Sequence, residues 1–257
     1  MMQKIITWNV NSIGQRLSRL IALLDRWAPD VVCLQELKCT NENFPLAAIE
    51  AAGYHAAFLG QKAFNGVALL SRVEPTEVVK GFGDSVDDPQ ARFISGRFGE
   101  LTVASVYVPN GQAVGSDKYY YKLNWLERLR SHVSASWSNQ APVIIAGDFN
   151  IAPAPRDTHD PSAWEGQILC SKRERAALEA TMDLGFIDSF RHLNHDTTEF
   201  TWWDYRMLGF QKNLGLRIDL LLASRSIQTR LQRCYVDRDE RKGDKPSDHA
   251  PVILELS

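Results

Sequence analysis

The chain has little cysteine: Cys33, Cys39, Cys170 and Cys234 are the four in 257 residues, and no two stand at CxxC spacing. A disulfide framework is not expected. Reduced core thiols of a cytoplasmic protein are expected, with Cys33 inside the apolar run VVCL. Long hydrophobic runs are missing too. The opening MMQKIITWNVN lacks the apolar centre of a secretion signal, and no later run approaches membrane-spanning length, so a soluble protein without a membrane partner is expected. Nor is there an excess of positive charge; the net charge of −2 announces no global field for a polyanion. Two catalytic signatures are also absent. GFGDSV, from Gly81, lacks the Lys-Ser/Thr ending of a P-loop, and no Ser or Cys sits in a nucleophile elbow.

What is present is a chain with 44% hydrophobic and 23% charged residues, enough for a sizeable core in one domain over residues 1–257. Apolar runs of strand length recur: KIITWNV, DVVCLQE, GVALLS, RFISGRF, LTVASVYV, PVIIAGDF, RIDLLLAS and PVILEL. Helical spacing lies between some of them. GQRLSRLIALLDRW sets Leu17, Leu20, Ile21, Leu24 and Trp27 at three- and four-residue steps. DKYYYKLNWLERLRSHVSASW and SKRERAALEATMDLG read likewise, the second ending at Gly185 as a C-cap. The mixture predicts an α/β layered domain with sheets inside and helices outside. ITWNVN and IIAGDFN echo each other, as strands ending in polar residues two apart, which is consistent with two similar sheets face to face. The Pro- and Asp-rich NIAPAPRDTHDPSAWEGQILC reads as a surface loop.

Polar residues gather where the apolar strands run out: Asn9 and Asn11, Glu36, Tyr107, Asp148 and Asn150, Asp219, and the pair Asp248 and His249 of KPSDHAPV. Singly, each reads as a turn or cap. Together they mark the strand ends where α/β sheets bind ligands. Oxygen donors without sulfur suit a hard divalent ion, Mg²⁺ with Mn²⁺ as substitute. Glu36 is the leading ligand, against an exposed acid paired with Lys38. Asp219, between Ile218 and three leucines, needs a partner, either Arg217 or His249. An imidazolium held by Asp219 would bind a phosphate oxygen, and Asp148 would deprotonate a water. That chemistry is metal-assisted hydrolysis of a phosphate ester.

WNVNSI, LQELK, NGVALLS, YVPNG, GDFNIAP, FTWWDYR, GLRIDLLLAS and KPSDHAPV, in order from residue 4 to about 255, resemble the successive motifs of the exonuclease III family of abasic-site endonucleases. That family lies within the endonuclease/exonuclease/phosphatase superfamily. The resemblance implies a four-layer α/β sandwich of two mixed sheets, with the site at one edge. It implies Tyr107, Asp148, Asn150, Asp219 and His249 as catalytic residues, and Asn9, Glu36, Asp148, Asn150, Asp248 and His249 around the metal. Asn11, Lys38 and Asn110 would contact substrate, and Trp202, Leu216 and Ile218 would line an apolar pocket for the extruded abasic sugar, with Trp203 in the core. Arg72, Lys118, Lys122 and the basic residues of RDERKGDKP would grip a bent duplex.

Two departures stand out: Leu216 replaces a bulky aromatic of some relatives, and the Gly111–Asp117 loop carries no Arg or Lys. The resulting expectation is a monomeric Mg²⁺-dependent repair nuclease, cutting double-stranded DNA 5′ to abasic sites and acting at 3′ ends as exonuclease and phosphatase. The alternatives are a non-specific nuclease or small phosphoesterase on the same scaffold, and a non-catalytic DNA-binding module.

Overall fold

The computed structural model describes residues 3–257; Met1 and Met2, the head of the expected domain span, lie outside the described residues. In chain order the strands are β1 (Gln3–Asn9), β2 (Val31–Gln35), β3 (His55–Leu59), β4 (Val67–Ser71), β5 (Thr76–Lys80), β6 (Phe93–Phe98) and β7 (Leu101–Tyr107). They continue with β8 (Val143–Asp148), β9 (Phe186–Asp188), β10 (Trp202–Trp203), β11 (Gly215–Leu216), β12 (Asp219–Ser224), β13 (Leu231–Val236) and β14 (Val252–Leu256). The helices are α1 (Ile13–Trp27), α2 (Leu46–Ala51), α3 (Asp117–Ser136), α4 (Pro161–Trp164), α5 (Lys172–Met182) and α6 (Ser189–Leu193).

Two six-stranded sheets form, in the orders β13-β14-β1-β2-β4-β3 and β5-β6-β7-β8-β12-β9. Each has one central parallel pair, β1 with β2 and β7 with β8. Antiparallel pairs flank it on both sides. ITWNVN and IIAGDFN, the strands β1 and β8, each belong to a central parallel pair and face each other across the sandwich, while the two sheet orders match β1 with β7 and β2 with β8. Strand alternation then sorts the side chains. Ile5, Val31, Cys33, Leu69, Val103, Ile144, Ala146, Leu221 and Leu254 face inward and fill the space between the sheets. Ile6, Trp8, Leu34 and Ile253 face outward onto Leu20, Leu23 and Leu24 of α1. Val143, Ile145, Leu220 and Leu222 face outward onto Trp125 and Leu129 of α3 and Leu178 of α5. The result is helix, sheet, sheet, helix.

The same period carries the site. Counting in twos along the inward face from Ile5, Ile144 and Leu221 leads to Asn9, Asp148 and Asp219, and from Val103 to Tyr107. Asp148 lies opposite both Tyr107 and Asp219. Just beneath them the inward face is already polar: Gln35 Nε2 donates to Thr7 Oγ1 at 3.1 Å and to Ser105 Oγ at 3.0 Å. Register depends on close backbone approach at Gly147, where a Cβ would lie 1.9 Å from the Val106 carbonyl oxygen. Gly147→Ala is therefore expected to destabilise by about 2–3 kcal/mol or more, read by urea denaturation. Activity should fall as well, because Tyr107 and Asp148 are the next pair along.

Several expectations change. Gly185 does not cap α5 directly; the helix ends at Met182 with Asp183 as its cap, and Gly185 takes φ 101 two residues on. The supposed surface loop 150–170 is partly structured and partly core, holding α4, a 3-10 turn at Pro155–Asp157, and buried Ile151, Asp157, Leu169 and Cys170. Asp157 also answers one of the open pairings. It accepts from Arg217 Nε at 2.8 Å, and Arg217 Nη2 lies 2.7 Å from Asp188, so Arg217 has no part in neutralising Asp219. Among the described residues, no helix is long and apolar enough to cross a membrane.

Candidate active site

Five strand tips and the turn before β14 converge on one edge of the two sheets. Several residues there take left-handed backbone conformations uncommon outside glycine: Asn11 (φ 44), Glu36 (φ 52), Lys38 (φ 53) and Asn150 (φ 49). Strain of this kind is retained where the surroundings over-determine it. Each of these residues leaves a strand and is turned so that its polar groups face the others.

Asn9 sits between two acids. Its Nδ2 donates to Glu36 Oε1 and to Asp148 Oδ2, both at 2.9 Å, while its Oδ1 accepts from the Asn11 amide at 3.0 Å. Tyr107 donates its hydroxyl to Glu36 Oε1 at 2.8 Å. Lys38 Nζ lies 2.9 Å from Glu36 Oε2 and also donates to Asn11 Oδ1. Asn150 donates its amide N–H to Asp148 Oδ1 at 2.9 Å and its Nδ2 to Asp148 Oδ2 at 3.2 Å, and its Oδ1 accepts from Asn110 Nδ2 at 3.2 Å.

On the other side His249 Nδ1 meets Asp219 Oδ2 at 2.9 Å, and its Nε2 points toward Asp148 Oδ2 at 3.7 Å. Asp248, its neighbour in sequence, turns the other way. It accepts from Asn11 Nδ2 at 2.8 Å and from Trp202 Nε1 at 3.0 Å. The turn that splits the two is held by Ser247, whose Oγ donates to the Asn9 carbonyl at 2.7 Å and accepts from the His249 amide at 3.2 Å. Neither Ser247 nor Thr201, whose Oγ1 accepts from the amides of Ile218 and Asp219, stands out in the sequence. Gln35 could have been found, since it shares the inward face of Val31 and Cys33.

The electrostatics follow from burial. Desolvation pushes the Asp148 carboxyl up to about 7; His249 opposes this, while Asp219 and Glu36 add to it. For His249, burial alone would depress the imidazolium, but Asp219 and then Asp148 outweigh it and raise it to about 10. Burial, and next the Glu36 charge, hold the Tyr107 phenol well above its ordinary value. Glu36 is also penalised by burial, yet Lys38 and the Asn9 amide keep it below the usual carboxylate range.

Among the described residues, Glu36, Asp148 and His249 each bring one potential ligand atom to within 4.8 Å of the others. The two carboxylates fit a hard divalent cation: they are sulfur-free, and the raised Asp148 shows an acidic centre that a cation would relieve. His249 fits less well, because its Nδ1 is committed to Asp219 and a protonated Nε2 has no free lone pair. Asp248 is joined to this centre through Asn11 and stands outside the close group.

A cavity of about 890 Å³ opens beside Glu36 and Tyr107, lined also by Lys38, Phe64, Arg92, Asn110 and Lys118. The expected apolar pocket on the opposite flank is closed. Leu216 and Ile218 are 0% and 1% exposed, packed with Ala152, Leu169 and Cys170. Trp202 alone of that trio reaches the surface, and Trp203 is core, as expected.

The basic residues divide. Lys118 borders the cavity. Arg72 follows β4 at the opposite edge of its sheet, its guanidinium over Tyr54, and cannot reach a duplex lying on the site. Lys122 is fully buried and equally unavailable. Of RDERKGDKP, Arg241 is buried against Trp203 and Phe210 and donates to the Ser247 carbonyl, so only Arg238, Lys242 and Lys245 remain near solvent.

The endonuclease/exonuclease/phosphatase family matches this chain over residues 6–249. Exodeoxyribonuclease III of Haemophilus influenzae is 36% identical over 265 residues, covering 98% of this chain and 99% of that protein. Among solved structures, a 3′ phosphatase from Neisseria bound to a product DNA hairpin is similar at a TM-score of 0.96 and 41% identity, with 99% of each chain covered. An AP endonuclease from Archaeoglobus fulgidus is similar at a TM-score of 0.96 and 37% identity, again with 99% of each covered.

Proposed function

Because the chain belongs to the endonuclease/exonuclease/phosphatase family, in its exonuclease III branch, we propose that it is a metal-dependent DNA nuclease. In this reading it hydrolyses the phosphodiester 5′ to abasic sites in double-stranded DNA and trims 3′ ends as exonuclease and phosphatase. It acts as a monomer and a single unit over residues 1–257, in the cytoplasm, where its four free cysteines fit a reducing compartment. The observation that carries the reading is the line Asp219–His249–Asp148, which sets a fixed positive charge against a carboxyl poised near neutral pH.

Glu36 and Asp148 would hold Mg²⁺, or Mn²⁺ in its place, with Asn9 spacing the two carboxylates and Asn11 and Asp248 bordering them. When bound, the cation supplies charge to polarise the scissile phosphate. The chain's own residues do the rest. Asp148 accepts the proton of the attacking water, and Asn150 fixes the direction of that carboxylate. His249, kept protonated and oriented by Asp219, offers its Nε2–H to a non-bridging oxygen and neutralises charge that grows in the transition state. The Tyr107 phenol stays protonated; its single O–H, donated to Glu36 here, would turn to the phosphate once a cation engages that carboxylate. Lys38, Asn110 and Lys118 line the wall along which a strand would run.

A second reading within the enzyme class rests on the closed flank. With Leu216 and Ile218 sealed, a flipped sugar must displace Trp202 or its neighbours, whereas a 3′ end needs no such pocket. One experiment separates the two. A labelled duplex with one abasic analogue and its intact counterpart are incubated with Mg²⁺ and with EDTA. Incision 5′ to the analogue, abolished by EDTA while binding persists, is the expected result. Shortening of both duplexes only from their 3′ ends would favour the second reading. Binding without any cleavage would overturn both.

A further inference from the structure

Away from the carboxylate centre the molecule holds another fully buried charged pair. Lys122 on α3 and Glu174 in the first turn of α5 have side chains 0% exposed, with Nζ 2.5 Å from Oε1. Burying two charges is expensive, and an apolar pair of the same volume is often as stable or more so. A pair of this kind calls for something that an apolar one could not do.

The hydrogen bonds show what that is. Lys122 Nζ donates to the backbone carbonyl of Asn150 at 2.6 Å and to that of Asn110 at 3.2 Å. Glu174 accepts from the amides of Leu169 at 3.1 Å and Ser171 at 3.0 Å. One ammonium therefore spans the loops that leave β7 and β8. Its counter-ion ties in the segment that packs behind Leu216 and Ile218. The chain passes close over the lysine stem, since a Cβ on Gly111 would lie 3.1 Å from Lys122 Cδ. Asn150 needs such a hold. It is left-handed at φ 49, its amide N–H donates to Asp148, its Nδ2 is shared between the Val108 carbonyl at 3.0 Å and Asp148 at 3.2 Å, and its Oδ1 accepts from Asn110. With both carbonyls gripped by the same nitrogen, neither Asn150 nor Asn110 can turn without the other.

We infer that Lys122, with Glu174 as its counter-ion, is a positioning residue: by holding the Asn110 and Asn150 peptides it sets the orientation of the Asn150–Asp148 contact. It acts on the rate of bond cleavage and not on DNA affinity. This rests on the nuclease reading of the site.

The test uses Lys122→Met, Glu174→Gln and the combined variant beside wild type, with kcat and KM on the abasic duplex and Tm for each. Lys122→Met alone strands a buried carboxylate, so both Tm and kcat should fall. The combined variant carries no stranded charge. Its Tm should return most of the way to wild type while kcat stays roughly 10- to 100-fold down and KM moves by less than about twofold. Recovery of kcat together with Tm would overturn the inference, as would a rise in KM at unchanged kcat. Where a Lys122 variant does not fold, Glu174→Gln decides, because it breaks the ion pair but leaves the amine its two carbonyls. A lower Tm with kcat reduced less than about threefold supports positioning by the amine, and kcat falling in step with Tm overturns it. Wild-type protein that cleaves neither duplex overturns the nuclease reading and this inference with it. An active wild type with an unaffected combined variant overturns the inference alone.

Discussion

Asp148→Asn is expected to lower turnover on the abasic duplex by roughly 10²- to 10⁴-fold while the protein stays folded and binds DNA. The replacement is nearly isosteric. Its oxygen can keep the Asn150 amide N–H and no cavity is made at this buried strand end, while its new amide group faces the Asn9 and Asn150 Nδ2 donors that Oδ2 served, a local cost that leaves the fold in place. What it removes is the proton acceptor. In the metal-free site burial raises that carboxyl to about 7, which makes it a better proton acceptor than an ordinary carboxylate. It also removes the anion that faces His249 Nε2 at 3.7 Å, leaving the imidazolium held by Asp219 alone. Cleavage of both labelled duplexes in Mg²⁺, and binding by fluorescence anisotropy in EDTA, separate the two effects. A variant that cuts within about tenfold of wild type would place the proton acceptor elsewhere, below the range expected for losing a general base.

The interior of this fold is easy to read from sequence and its rim is not. All eight apolar runs became strands, because a strand buried on one or both faces advertises itself through period-two or continuous hydrophobicity. The strands that escaped notice are the four edge strands of the large sheets, β3, β5, β9 and β13, and the two-residue pair β10 and β11. TEVVK of β5 is exposed along its whole length, so nothing in its side chains requires a partner. The residues at the edge of the sheets were legible for a related reason: a carboxylate or carboxamide that continues an inward-facing series must meet something polar. Long basic side chains misled. Lys122 looked like a phosphate contact, yet Tyr119, Lys122, Leu126, Leu129 and Val133 share the buried face of α3, and that spacing was available to find it. Arg72 was misplaced because β4 runs antiparallel to β2, which sends its C-terminal end to the far edge. Strand direction is not carried by local composition.

Asp219→Ala is expected to cost about 3–5 kcal/mol of stability at pH 6 in EDTA, with the loss shrinking as the pH is raised toward 10. The direction follows from His249. Its pKa is raised from 6.5 to about 10 in the folded protein, chiefly through Asp219 acting against burial. The stability this contributes is therefore fully present below 6.5 and is lost as pH climbs through the folded value. Without Asp219 the buried imidazolium keeps Asp148, at 3.7 Å, as its main counter-charge, and Arg217, two residues along, could not substitute as a partner for a cation. The variant escapes its uncompensated charge by releasing the proton, which alkaline conditions allow and pH 6 does not. Urea denaturation of wild type and variant at pH 6, 8 and 9.5, compared as differences, isolates this contribution from the other titrating groups. A pH-independent gap would mean that His249 is neutral in the folded protein. It would then offer the phosphate a hydrogen bond without a positive charge, and the burden of neutralising the transition state would pass to Lys38 and the bound cation.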